Sequence, residues 1–202
     1  MEYCEPADHR PRVALITGEP GSGKSTLGAE LSRALRVPFI ARDDIRGGLF
    51  FTAGAWSPRP RRVPSADESV EAFLHIVESM IGLGVSCVVE YVLRERRPDD
   101  LQRITNVATC RVVHTWCRDA ADRLARRNNG DRLLNRRPVL EALGYSTIEQ
   151  HTSGAVARMR SVTDEMKTDF QLPVLEVDTN EGYEPGLDVI IEFVVGGAGP
   201  TC

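Results

Sequence analysis

Gly18-Glu19-Pro20-Gly21-Ser22-Gly23-Lys24-Ser25-Thr26 is the stretch that decides the fold. It reads G-x-x-x-x-G-K-[ST], the spacing of a phosphate-binding P-loop. In such a loop the backbone N–H groups turn inward and cradle the α- and β-phosphates. The helix that follows adds the positive end of its dipole. Lys24 is placed to reach the β- and γ-phosphates, and the Ser25 hydroxyl to ligate Mg²⁺. A chance glycine turn is the alternative, and the flanking sequence argues against it. Val13-Ala14-Leu15-Ile16-Thr17 is a short apolar run, as a buried parallel strand requires. Leu27, Leu31 and Leu35 then recur at helical spacing. Strand, loop and helix arrive in the order the motif needs, so residues 18–26 are expected to bind a nucleotide.

Beyond the loop, 202 residues suit one domain with a sizeable core. Residues 1–11 and 196–202 read as tails on that single domain. The net charge of −4 excludes a global basic field for long nucleic acid, though not a local cluster for a small anion. The cysteines are Cys4, Cys87, Cys110, Cys117 and Cys202, an odd number without a C-x-x-C pair. That argues against a zinc site or a disulfide framework and fits a reduced cytoplasm. Cys87 and Cys110 adjoin apolar runs and are expected as buried thiols. Met1 to Arg12 is polar, without the apolar core of a signal segment, and no run approaches membrane-spanning length. A cytoplasmic protein with no membrane partner is the expectation.

Strands are predicted at 13–17, 38–41, 87–93, 111–116 and 173–178, with helices between them. That alternation implies a parallel sheet covered on both faces. Ser65-Ala66-Asp67-Glu68 is a capping box opening a helix with an apolar stripe of Val70, Phe73, Leu74, Val77, Met80 and Ile81. Pro98 opens another helix, and Asp119 to Asn128 a further one. Ser146-Thr147-Ile148-Glu149 is a second capping box. Leu187, Ile190, Ile191 and Val194 mark a closing helix. The segment from Gly47 to Pro64 carries glycines, prolines, Phe50, Phe51 and Trp56, and reads as one long irregular loop. Its aromatic rings could stack on a base or sugar, with core packing the alternative for the two phenylalanines.

Charge gathers where ligands bind in open α/β sheets, beyond the carboxyl ends of strands. Arg42-Asp43-Asp44-Ile45-Arg46 directly follows the second predicted strand. A hydroxyl acceptor must be oriented and must lose a proton as it attacks phosphorus, and the Asp43 carboxylate could do both. An N-cap is the alternative role for Asp43. Arg46, three residues on, shares its helical face and could clamp a phosphate. Arginines crowd the region from Arg123 to Arg137, as a helical lid over a migrating phosphoryl group would need. Arg127 is the first candidate there, Arg123 the second, and the others read as a solvated face. Glu90 ends an apolar strand and could serve Mg²⁺, the acceptor or the structure alone. His75, His114 and His151 have no ligand-like neighbours, so no metal role is expected of them.

Gly18 to Thr26 followed by Arg42 to Arg46 resembles the small P-loop kinases that phosphorylate hydroxyls. The nearest likeness is to the kinase domain of phage-type polynucleotide 5′-hydroxyl kinases, with G-x-P-G-S-G-K-S-T and then R-D-D-x-R. Zeta-toxin-like and chloramphenicol phosphotransferase-like proteins share this plan. The resemblance implies Asp43 as general base, Arg46 as a phosphate or acceptor contact and Arg127 on the β/γ-phosphates. It implies an α/β P-loop NTPase fold with a five-stranded parallel sheet of nucleoside-kinase type. It also implies that Asp178-Thr179-Asn180 lies near the adenine, which makes Thr179 a nucleotide contact. Glu90-Tyr91 departs from the family, which carries Asp followed by a small residue there.

These readings converge on an ATP- and Mg²⁺-dependent kinase acting on an alcohol. A small acceptor, such as a nucleoside, sugar or antibiotic, suits the acidic single domain. A nucleic-acid 5′ end is the alternative acceptor. A regulatory NTPase is the rival from another class. A guanine-reading N-K-x-D motif is absent, the nearest text being Met166-Lys167-Thr168-Asp169.

Overall fold

In a computed structural model of the chain, residues 10–55, 62–92, 98–128, 142 and 172–196 are described. Their elements are β1 (Arg12–Gly18), α1 (Lys24–Leu35), β2 (Phe39–Ala41), α2 (Arg42–Ala55), α3 (Ala66–Gly82), β3 (Cys87–Glu90), α4 (Pro98–Thr105), β4 (Thr109–Trp116), α5 (Ala120–Asn128), β5 (Val174–Asp178) and α6 (Leu187–Val195). The five strands form one sheet in the order β2-β3-β1-β4-β5, and every pairing is parallel. The expected α/β architecture is therefore the observed one.

The period-two geometry of a strand sends alternate side chains to opposite faces. Val13 and Leu15 of β1 pack with Phe73, Leu74 and Val77 of α3 and Ile104 of α4. Ala14 and Ile16 pack with Leu27 and Leu31 of α1 and Ile190 and Val194 of α6. Helices thus cover both faces, and β1 is buried on both sides. The Phe73 ring stacks on Tyr91 at 5.4 Å between centroids. Cys87 and Cys110 are buried Cα partners of Val13 from opposite flanks of β1. Burial pushes their thiols up to about 11 and about 12, so both stay protonated at neutral pH.

The capping box at Ser65 forms as the sequence predicts. Ser65 Oγ accepts from the Glu68 N–H at 3.0 Å, and the Glu68 carboxylate accepts from the Ser65 N–H at 2.8 Å. The stretch from Gly47 differs from its expectation. It continues a helix, α2, to Ala55 rather than forming a loop. Two interior glycines cost about 1 kcal/mol each relative to alanine. Tertiary contacts offset this: Phe50 is buried, Ile45 packs against the α3 core, and Asp43 and Asp44 complement the helix dipole in the first turn. Phe50 meets Phe51 edge to face, which favours packing over a stacking platform for these two rings. Trp56, the second capping box and its helix lie outside the described residues. Among the described residues, no helix is long and apolar enough to cross a membrane.

Candidate active site

The connection from β1 runs through α1 toward β2, and the one from β4 runs the other way, toward β5. The crevice between β1 and β4 is therefore a topological switch point, where open sheets bind ligands. The 18–26 loop stands at its mouth, with Gly18 the Cα partner of Thr115. Gly18 has φ +138°, and a Cβ there would lie 2.1 Å from the Thr115 carbonyl oxygen. Gly21 has φ +92°, and its Cβ would lie 2.2 Å from the Ala120 carbonyl oxygen. Both positions need glycine for conformation and for space.

Buried hydroxyls hold the loop from beneath. Ser22 Oγ lies 2.8 Å from the Glu19 carbonyl and 2.7 Å from Thr115 Oγ1, which in turn lies 3.1 Å from the Thr17 carbonyl. With one proton on each hydroxyl, two of these three contacts can be hydrogen bonds at a time. Thr179 Oγ1 lies 3.0 Å from the Ser22 carbonyl and 3.2 Å from that of Trp116. Thr179, expected at the nucleotide, is thus 4% exposed and sits under the loop. Thr17 and Thr115 were not singled out by their sequence. The one signal for Thr115 is a hydroxyl near the carboxyl end of β4.

Lys24 is also buried, and its ammonium donates to the Glu19 carbonyl at 2.6 Å. Ser25 follows it in the first turn of α1. The Ser25 hydroxyl makes no hydrogen bond among the described residues. Val88 of β3 packs with Leu27 and Leu31, so Glu90, two residues on, projects from the same sheet face as α1. Its carboxylate makes no hydrogen bond or ion pair among the described residues. A hydroxyl and one carboxylate suit Mg²⁺, which takes few protein ligands and completes its shell with phosphates and water. No cluster of three or more His, Cys, Asp or Glu that could hold a metal ion occurs among the described residues.

Asp43 lies in the first turn of α2, directly beyond edge strand β2. Its side chain is half exposed, and one oxygen is 3.0 Å from the Arg42 guanidinium, which is only 13% exposed. Asp44 is exposed beside it. Arg46 is partly buried and donates to the Pro64 carbonyl at 3.3 Å, tying α2 to the approach of α3. Arg123 of α5 donates to the Asn180 carbonyl at 2.6 Å, and its other terminal nitrogen lies 3.5 Å from Thr179 Oγ1. Arg127 is part of α5, but its side chain lies outside the described residues, as do Arg132, Arg136 and Arg137 entirely. His114 comes within 4.0 Å of Glu176.

A family model described as an AAA domain matches residues 13–170. No curated protein matches the chain. Among solved structures, a candidate kinase from Chloroflexus aurantiacus aligns with a TM-score of 0.62 and 21% identity, over 92% of this chain and 94% of that one. Shikimate kinase from Bacteroides thetaiotaomicron aligns with a TM-score of 0.51 and 16% identity, over 90% and 94%. A chain of the Pnkp1/Rnl/Hen1 RNA repair complex aligns with a TM-score of 0.53 and 17% identity, over 84% of this chain and 50% of that one. At these identities the likeness shows a shared fold, that of P-loop kinases.

Proposed function

The chain belongs to this AAA-domain family, and from that premise we propose that it is an ATP- and Mg²⁺-dependent phosphotransferase acting on a hydroxyl of a small molecule. The half-exposed Asp43 carboxylate carries the reading, because it lies beyond β2 in the sheet whose β1 bears the P-loop. A nucleotide switch has no need of a second carboxylate there. A kinase does, since the acceptor must be oriented for in-line attack and deprotonated. The P-loop amides and Lys24 hold the phosphates. Ser25 and Glu90 hold Mg²⁺, directly or through water, and the ion would neutralise phosphate charge. Arg46 and Arg127 offset charge on the migrating group. A nucleoside, a sugar or an antibiotic-like alcohol fits this plan, and a cytoplasmic location supplies ATP.

A nucleic-acid 5′ hydroxyl is the second reading. The fold shared with a chain of an RNA repair complex favours it, and the net charge of −4 opposes it. The test is a mass-shift screen with ATP, Mg²⁺ and candidate alcohols beside a 5′-hydroxyl oligonucleotide. A phosphoryl mass gain on a small alcohol supports the proposal, and a gain on the oligonucleotide alone replaces its acceptor. ATP hydrolysis that no hydroxyl compound stimulates would leave a regulatory NTPase instead. Within this scheme, Arg127→Ala is expected to lower kcat by about 10²-fold or more while weakening ATP binding less. Arg136→Ala is expected to change little. If steady-state kinetics reverse that order, the arginine acting on the phosphates is misassigned.

A further inference from the structure

On the reading that the 18–26 loop holds ATP, we propose that Arg123 is a positioning residue. It works through Thr179, clamping the root of α5 to the P-loop, and does not touch the migrating phosphoryl group. α5 leaves β4, and the 179–180 turn leaves β5, the neighbouring strand in which Asp178 pairs with Trp116. The Arg123 guanidinium crosses from one to the other. One nitrogen donates to the Asn180 carbonyl and the second reaches Thr179 Oγ1. Thr179 then reaches the Ser22 carbonyl, inside the loop. Two links in series therefore join an arginine of α5 to the backbone of the phosphate cradle, and the Asn180 contact anchors the arginine beside them.

Both ends of this strut are firm. The Asn180 N–H and its side-chain amide each donate to Asp178 Oδ1 at 2.7 Å. Asn180 Oδ1 accepts from the Arg118 N–H at 3.1 Å and the Cys117 thiol at 3.3 Å. The root of α5 rests directly on Gly21, as the approach of Ala120 shows, and Cys117, Ala120 and Leu124 form a small buried cluster behind it. A guanidinium fits this position because it is a planar fork that can serve two acceptors at once. Thr179 is buried between Trp116 and Ser22, so loss of the Arg123 contact is felt at the loop and not made up by solvent.

The experiment is a double-mutant cycle on ATP affinity, measured by calorimetry with Mg²⁺ and no acceptor. Arg123→Ala and Thr179→Val should each weaken ATP binding about tenfold, the effect of losing one buried hydrogen bond to a charged or constrained partner. The double variant should be little worse than the weaker single, because both break one strut. Thr179→Ser keeps the hydroxyl and should retain affinity. Arg123→Lys should not, since one ammonium cannot span both acceptors. Additive losses overturn the proposal. So does a fall in kcat at unchanged ATP affinity and KM, which would place Arg123 on the transition state. A wild-type chain that binds no ATP refutes the phosphotransferase reading alone. The cycle is then judged on thermal unfolding, where additive shifts overturn the strut.

Discussion

Lys24→Ala is expected to all but abolish phosphoryl transfer in a protein that still folds. The ammonium is the one cationic side chain built into the loop itself, and its removal leaves the developing β/γ charge without that partner. Losing a single preorganised electrostatic contact of this kind costs about 10²–10³-fold in rate. Folding should survive for a reason the structure supplies. Lys24 is buried, but the Glu19 carbonyl it serves also lies 3.1 Å from the Ser22 N–H and 2.8 Å from Ser22 Oγ. That oxygen stays satisfied, and the expected stability loss is about 1 kcal/mol. Transfer assays beside thermal unfolding test this. Near-normal turnover by a folded variant would remove the P-loop from the catalytic machinery.

Asp43→Asn should separate chemistry from nucleotide binding. The amide is isosteric and can still accept from the Arg42 guanidinium, so the first turn of α2 should persist. ATP affinity should hold, because the carboxylate stands beyond β2 and outside the loop that cradles phosphate. Transfer should fall about 10²–10⁴-fold, the usual loss when a general base is removed. Asp44→Asn, one residue on and exposed, should be milder. Calorimetry with ATP and acceptor phosphorylation by mass shift give the two readouts. Intact transfer in Asp43→Asn would reduce this carboxylate to a helix-dipole partner.

How legible each part was followed from the range of the forces that build it. The P-loop is a local object, with strand, glycines, lysine and helix contiguous, so its residues could be read directly. The capping box at Ser65 and Glu68 is local in the same sense, and it formed as read. α2 was not legible across Gly47 and Gly48, because glycine marks a break locally while Ile45 packs against the core formed by α3, more than twenty residues on. Arg123 reads in the sequence as the second candidate, after Arg127, for the migrating phosphoryl group. Its contact with Asn180 spans 57 residues and depends on β4 and β5 being neighbours. No periodicity or motif encodes that. The side chain of Arg127 lies outside the described residues, and the acceptor is marked by no motif in the chain.

The hydroxyls under the P-loop also dictate when it can exist. Ser22 reaches Thr115 across 93 residues and Thr179 across 157. A loop written near the start of the chain is therefore finished by a residue near its end. During synthesis or refolding, the early segment can form its strand and helix, but its cradle lacks two braces until β4 and β5 have docked. Closing such long intervals is entropically costly and slow. In refolding of the whole chain, binding of a fluorescent ATP analogue should appear no earlier than hydrogen-exchange protection of Val177 in β5. Binding that precedes that protection would mean the loop is shaped by its own glycines alone. Otherwise nucleotide binding reports completion of the fold, and a chain caught halfway carries the motif without the site.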